Sequence, residues 1–139
     1  MSTILIVDND STIRLLYSNE LSEEGYDVIT CGDAAGLMEL IGRKNPDLVV
    51  MEVLLGNLNG LDLLQDISHA YRDLPVILCT SSPGFREDLR SLAAHGFVVK
   101  SSKVKELKTV VKDVLEGKHH IASLQQPMGQ LSVVPKVLQ

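Results

Sequence analysis

Five short apolar runs, each closed by a polar or charged residue, constrain this chain more than any other feature. They are Ile4–Val7, Tyr26–Thr30, Leu48–Met51, Val76–Cys79 and Phe97–Val99. Runs this short, rich in β-branched residues and bounded by turn formers, read as strands. Four of them show no alternation of apolar and polar positions, the mark of strands buried on both faces in a parallel sheet. Tyr26–Thr30 is less apolar and belongs nearer an edge. Pro46 fixes its own φ and pushes Asn45 out of helix, which opens the third run.

The intervening segments have helical spacing. Ile13, Leu16, Tyr17 and Leu21 form one stripe, with Ser11 as its cap and Gly25 as its stop. Asp33 reads as the cap of a helix through Leu37, Leu40 and Ile41, which Gly36 weakens by about 1 kcal/mol relative to Ala. Leu61, Leu64 and Ile67 mark a third helix. Leu89, Leu92 and Ala93 mark a short fourth one, closed by Gly96. Ser102 is placed to cap the last, whose stripe is Val104, Leu107, Val110, Val111 and Val114, with Gly117 after its end. Strand followed by helix, repeated through the chain, predicts an α/β three-layer sandwich around a parallel sheet with right-handed crossovers. Periodicity does not give the strand order.

Residues 1–117 therefore read as one domain, and residues 118–139, with Gln, Pro and Gly among small apolar patches, as a flexible tail or linker. A net charge of −5 argues against general electrostatic binding of nucleic acid or anionic membrane by this domain. No apolar run approaches the roughly 20 residues of a membrane span. The opening residues carry no leader pattern, so a cytoplasmic location is expected. Cys31 and Cys79 are too few and too far apart for a disulfide framework or zinc site, and read as reduced thiols, Cys79 buried. His69 and His95 read as surface residues on helices, and His119-His120 as part of the tail.

The residues just past the strands carry the chemistry: Asp8, Asn9 and Asp10; Glu52; Thr80 and Ser81; Lys100. In a parallel sheet these positions share one edge, the edge at which α/β folds bind ligands. Carboxylates with amide and backbone oxygens suit Mg²⁺. A hydroxyl and a lysine aimed at the same point suit phosphoryl oxygens. Each residue alone has an ordinary role in a cap or turn, and Asp10 is equally a third acid or a cap. Their joint arrival at four strand ends is much harder to obtain by capping.

The chain from Thr3 to about Gly117 resembles the receiver domain of bacterial two-component response regulators. The resemblance is carried by Ile4-Leu5-Ile6-Val7-Asp8, Pro46-Asp47-Leu48-Val49-Val50, Gly60, Pro75-Val76-Ile77, Thr80 and Gly96-Phe97-Val98-Val99-Lys100. It implies a flavodoxin-like fold: a five-stranded parallel sheet of order 2-1-3-4-5 with helices on both faces. It also implies a signalling module, not an enzyme, in which a sensor kinase phosphorylates an aspartate after the third strand. By position, Asp8 is the first of an acidic pair that binds Mg²⁺, and Leu54 would supply a metal-binding carbonyl. Thr80 is the switch hydroxyl, Phe97 the switch aromatic, expected half-buried, and Lys100 the phosphate-contacting lysine.

Three departures matter. Glu52 stands where the family has the phosphoacceptor Asp, Asn9 where a second acid is usual, and Ser101 where a cis proline is usual. A cis bond before a non-proline costs about 2.5–4 kcal/mol, so the Lys100–Ser101 bond is trans with an altered loop, or cis and strained. The extra methylene of Glu52 spoils alignment for in-line transfer. Its charge near Thr80 and Lys100, where it could also pair directly with Lys100, partly imitates a phosphorylated aspartate. Asn9 removes a charge, so a Mg²⁺ site formed by Asp8, Asn9, Glu52 and Leu54 is weakened.

The expected function is an atypical receiver that signals by protein contact, with little or no phosphorylation at Glu52. It is either locked in an active-like state or left as a binding module with a decayed site. Its partners would be a sensor kinase or downstream effector, or a second copy through the fourth helix, fifth strand and fifth helix. One alternative is a competent phosphoacceptor using Glu52 or Asp8. The other is a small flavodoxin-like nucleotide- or flavin-binding enzyme, the weakest because neither G-x-G-x-x-G nor a P-loop follows a strand.

Overall fold

The computed structural model describes residues 1–100 and 103–118. In chain order they form β1 (Thr3–Val7), α1 (Ser11–Glu23), β2 (Asp27–Cys31), α2 (Leu37–Lys44), β3 (Leu48–Met51), β4 (Leu54–Leu55), β5 (Leu58–Asn59), α3 (Gly60–Ala70), β6 (Val76–Thr80), β7 (Gly96–Val99) and α4 (Val104–Leu115). Strands β2-β1-β3-β6-β7 make one sheet with every pair parallel. Counting the strands of that sheet alone, this is the expected 2-1-3-4-5 order.

Alternation along each strand explains why the runs had to be apolar throughout. Leu5, Val7, Val49, Met51, Val76, Leu78 and Phe97 share one cluster with Leu37 and Ile41 of α2 and Leu61, Leu64 and Ile67 of α3. The residues between them, including Ile4, Ile6, Val50, Ile77, Cys79 and Val98, share the other with Tyr17 and Leu21 of α1 and the stripe of α4. Helices therefore cover both faces. β2 is an edge strand, and none of its residues is fully buried.

Register sets up the functional edge. Val7 pairs with Met51, so Asp8 and Glu52 leave neighbouring strands side by side. The Glu52 N–H donates to Val7 O at 2.9 Å, and the Lys100 N–H donates to Thr80 O at 2.8 Å. The backbone thus holds all four strand ends in one row.

Several local expectations are corrected. Asp10, not Ser11, caps α1: its carboxylate accepts from Thr12 N–H at 2.9 Å and Ile13 N–H at 3.4 Å. A carboxylate one residue earlier reaches the orphan donors that the Ser11 hydroxyl, already inside the helix, does not. Leu16 is 40% exposed, and Tyr17 and Leu21 carry the burial of that stripe. Asp33 caps a 3₁₀ turn over Ala34–Gly36 that leads into α2. The loop after Glu52 contains the short β4–β5 hairpin, turned through Gly56 at φ 65°.

The largest correction is the fourth helix. Two 3₁₀ turns, Pro83–Glu87 and Leu89–Ala93, replace it, leaving Leu89 80% and Leu92 67% exposed. Asp88 is extended between them and caps Arg90 N–H at 2.9 Å. Local side-chain capping of this kind competes with a continuous helix. His95 follows these turns as a half-buried residue and is not helical. The Ser102 cap, the geometry of the Lys100–Ser101 bond and nearly all of the expected tail lie outside the described residues.

Gly60 lets α3 begin against the end of β3. A Cβ there would lie 2.8 Å from Val53 Cα and closer still to the Glu52 carbonyl. Gly60→Ala is expected to lower stability by about 1–3 kcal/mol through overpacking against main chain, read as a fall in the urea midpoint.

Candidate functional site

Lys100 reaches back from the end of β7 and joins the two acids that the β1–β3 register places together. Its Nζ lies 2.6 Å from Asp8 Oδ2 and 2.6 Å from Glu52 Oε1. Each carboxylate gives its other oxygen to a backbone N–H two residues on: Asp8 Oδ1 accepts from Asp10 and Glu52 Oε2 from Leu54, both at 2.9 Å. The main chain therefore aims both carboxylates at one ammonium. The direct Glu52–Lys100 pairing that the sequence allowed is present.

The site is dry. Asp8 is 3% and Glu52 6% exposed, and the Lys100 side chain 15%. Burial pulls the Lys100 pKa down, but the hydrogen bonds and charges of Asp8 and Glu52 outweigh it and hold the ammonium above the usual lysine range. Lys100 is thus a charged group throughout the neutral range.

Thr80 is fully buried at the same edge, and its Oγ1 accepts from Ser82 N–H at 3.3 Å. Among the described residues its hydroxyl makes no bond to Glu52. Asn9 is exposed, and Asp10 is committed to its helix cap. Leu54 contributes its N–H to Glu52 while its side chain stays 51% exposed. Phe97 is only 2% exposed, not half-buried: it belongs to the core cluster on the α2 and α3 face, and the Arg86 guanidinium lies over its ring at 5.4 Å.

Three participants escaped the sequence reading. The Arg14 guanidinium donates to the Asp8 carbonyl and lies against Gly32, where a Cβ would be 2.6 Å from its Nη1. Helical phase was the available signal, since Arg14 lies one turn after the Asp10 cap. Tyr17 packs beneath the site and accepts from the Cys79 thiol at 3.7 Å. Burial, then the neighbouring Cys79, holds the Tyr17 phenol above its ordinary range. Arg86 left no signal in the pattern, because its reach to Phe97 crosses between separate elements.

A divalent cation would need the oxygens of Asp8 and Glu52, with help from Asn9 or the Leu54 carbonyl. No group of three or more His, Cys, Asp or Glu converges among the described residues. The two carboxylates that do converge already share an ammonium. As arranged, the donor set does not fit Mg²⁺, which demands oxygens at about 2.0–2.1 Å with no competing positive charge between them. No helix among the described residues is long and apolar enough to cross a membrane.

Comparison with known proteins accords with this geometry. Residues 4–112 match the model of the response regulator receiver domain. The chain is 31% identical over 107 residues to the probable transcriptional regulatory protein TcrX of Mycobacterium tuberculosis, covering 76% of this chain and 46% of that protein. It is 31% identical over 137 residues to the DNA-binding transcriptional regulator NtrC of a Bradyrhizobium, covering 97% of this chain and 28% of that one. The chain thus spans less than half the length of these curated relatives. Among solved structures, Thermotoga maritima TrrA in complex with Mg²⁺-BeF superposes with a TM-score of 0.79 at 36% identity, covering 82% of this chain and 99% of that one. TrrA in complex with the histidine kinase ThkA gives 0.78 at 36% identity, covering 83% and 99%.

Two outcomes follow from the site's electrostatics. Lys100→Met leaves two buried carboxylates without their counter-charge and is expected to cost about 3–5 kcal/mol, measured by urea denaturation at neutral pH. Burial pushes the Cys79 thiol up to about 12, so it stays protonated and unreactive at pH 8. The half-buried Cys31 should react with a thiol reagent under those conditions, and labelling of both cysteines in the folded protein would contradict the structure.

Proposed function

Because this chain belongs to the response regulator receiver domain family, we propose that it serves two-component signalling as an atypical receiver, acting through protein contact with little or no phosphorylation at Glu52. The observation that carries the reading is the engagement of Glu52. One carboxylate oxygen is held by Lys100 and the other by the Leu54 N–H. In-line attack on a phosphodonor needs an oxygen aligned within a fraction of an ångström. A glutamate folded back onto its own loop, one methylene longer than aspartate, meets that demand poorly.

Glu52 also supplies a standing negative charge to Lys100, one of the contacts a phosphoryl group would make, with Phe97 already buried. It makes no bond to Thr80. These contacts support an active-like state that relies on Lys100 and the aromatic more than on the hydroxyl. A fully decayed site would not be expected to keep three charged groups so closely matched. A Mg²⁺ site of Asp8, Asn9, Glu52 and Leu54 is at most a weak one in this reading, because Asn9 brings no charge and Lys100 already engages both acids.

The partners are proteins: a sensor kinase or a downstream effector, by likeness to the ThkA–TrrA complex. A second copy would dock through the surface formed by residues 83–93, β7 and α4, with the paired 3₁₀ turns in place of the fourth helix. The flavodoxin-like enzyme alternative draws no support from the family match.

Intact mass after incubation with Mg²⁺ and acetyl phosphate tests the reading, with the native chain beside Glu52→Asp. The native chain should gain no phosphoryl mass. A gain in Glu52→Asp alone would assign the block to one methylene in an otherwise preserved site. No gain in either would favour the decayed binding module, and a labelled native chain would overturn the proposal in favour of a phosphoacceptor at Glu52 or Asp8.

A further inference from the structure

We propose that Lys100 is the resident cation of this domain, its ammonium standing permanently where a divalent metal would otherwise bridge Asp8 and Glu52. The inference rests on the atypical-receiver reading and goes further, since it removes the metal from the site's working state and does not merely weaken it.

Geometry is the first support. Lys100 Nζ is equidistant, at 2.6 Å, from one oxygen of each acid. The remaining oxygens are turned away onto the Asp10 and Leu54 N–H groups. A metal placed about 2.0–2.1 Å from the same inward oxygens would overlap the ammonium. The two cations are alternatives.

Charge is the second. With an acidic pair, an aspartate and one lysine, Mg²⁺ brings such a site to neutrality. Here Asn9 and the two acids leave a different balance. Asp8, Glu52 and Lys100 carry a single net negative charge, and adding Mg²⁺ beside the lysine would leave a net positive charge in a pocket whose acids are 3% and 6% exposed. Burial makes that excess unfavourable. Expelling the lysine would restore neutrality, but its main chain is pinned by the Lys100 N–H to Thr80 O bond at 2.8 Å. A tethered ammonium competes at high effective concentration, while Mg²⁺ gives up its water reluctantly.

The test is Mn²⁺ binding by paramagnetic resonance, with Mg²⁺ competition and no phosphodonor, on the native chain, Lys100→Met and Asn9→Asp. Lys100→Met should bind Mn²⁺ at least about tenfold more tightly than the native chain once the tethered competitor is gone. Mg²⁺ should raise its thermal midpoint while leaving the native midpoint unmoved. Asn9→Asp, which adds an acid but leaves the ammonium in place, should gain far less than Lys100→Met, and an equal gain would show that missing charge, not the lysine, keeps the metal out. Native binding as tight as that of the variants overturns the proposal, as does a folded Lys100→Met that binds no better than native. If Lys100→Met does not fold, Lys100→Gln, which removes the charge and keeps a polar end, decides in its place, and equal affinity with native sinks the idea. Tight native binding would leave the phosphorylation reading standing, since that reading is judged by mass.

Discussion

The parallel register between β1 and β3 is the constraint on which the rest depends. Pairing Val7 with Met51 puts Asp8 and Glu52 side by side at the sheet's edge. Two carboxylates that close and that buried repel strongly unless a positive charge stands between them. Lys100 supplies it from the far side of β6, which ties β7 to β1 and β3 through a contact the hydrogen-bond ladder cannot make. The register is itself over-determined. A slip of one residue would turn every side chain of β3 to the wrong face, and both faces are covered by helices. The apolar core therefore does more than stabilise the sheet: it fixes the distance between charges that would otherwise avoid each other.

Glu52 shows how one methylene changes the use of such a frame. Its carboxylate is long enough to accept from the Leu54 N–H and meet Lys100 at once. Each bond is a charge-assisted hydrogen bond in a buried setting, individually stronger than its surface counterpart. Together they fix one rotamer of a flexible side chain. A residue held this way serves as the structural counter-ion of Lys100. The same contacts leave the Thr80 hydroxyl outside the network.

What was legible in the sequence follows how local the signal is. The core strands were readable because burial on both faces demands unbroken apolar runs. The site acids were readable because strand ends in a parallel sheet share one edge. Strand order and residue roles came from family resemblance, since periodicity contains neither. The misses have specific causes. Asp10 and Ser11 are adjacent cap candidates, and only backbone conformation decides which lies outside the helix. Leu89 and Leu92 have helical spacing, yet Asp88 caps a new turn between Pro83 and Ala93. Strands of two residues, such as β4 and β5, are too short to show any period. Arg14 and Arg86 act through long side chains that reach across elements, and no pattern within one segment records where they land.

Two of these misses, Arg86 and the turns of residues 83–93, meet on one strand. β7 carries Phe97 near its start and leads directly into Lys100. Phe97 is roofed by Arg86 from the first 3₁₀ turn, and the second turn is tied to α3 by the Arg90–Asp62 pair at 2.7 Å. That pair is largely exposed and contributes little by itself. The aromatic contact and the buried ion network hold more firmly. On its other side β7 is packed so closely on α4 that a Cβ at Gly96 would lie 2.8 Å from Val110. A strand confined between α4 and Arg86 has little freedom to shift one end alone. Lys100 and residues 83–93, where Leu89 and Leu92 face solvent, are therefore both built onto β7, the lysine at its end and the turns through Arg86 over Phe97.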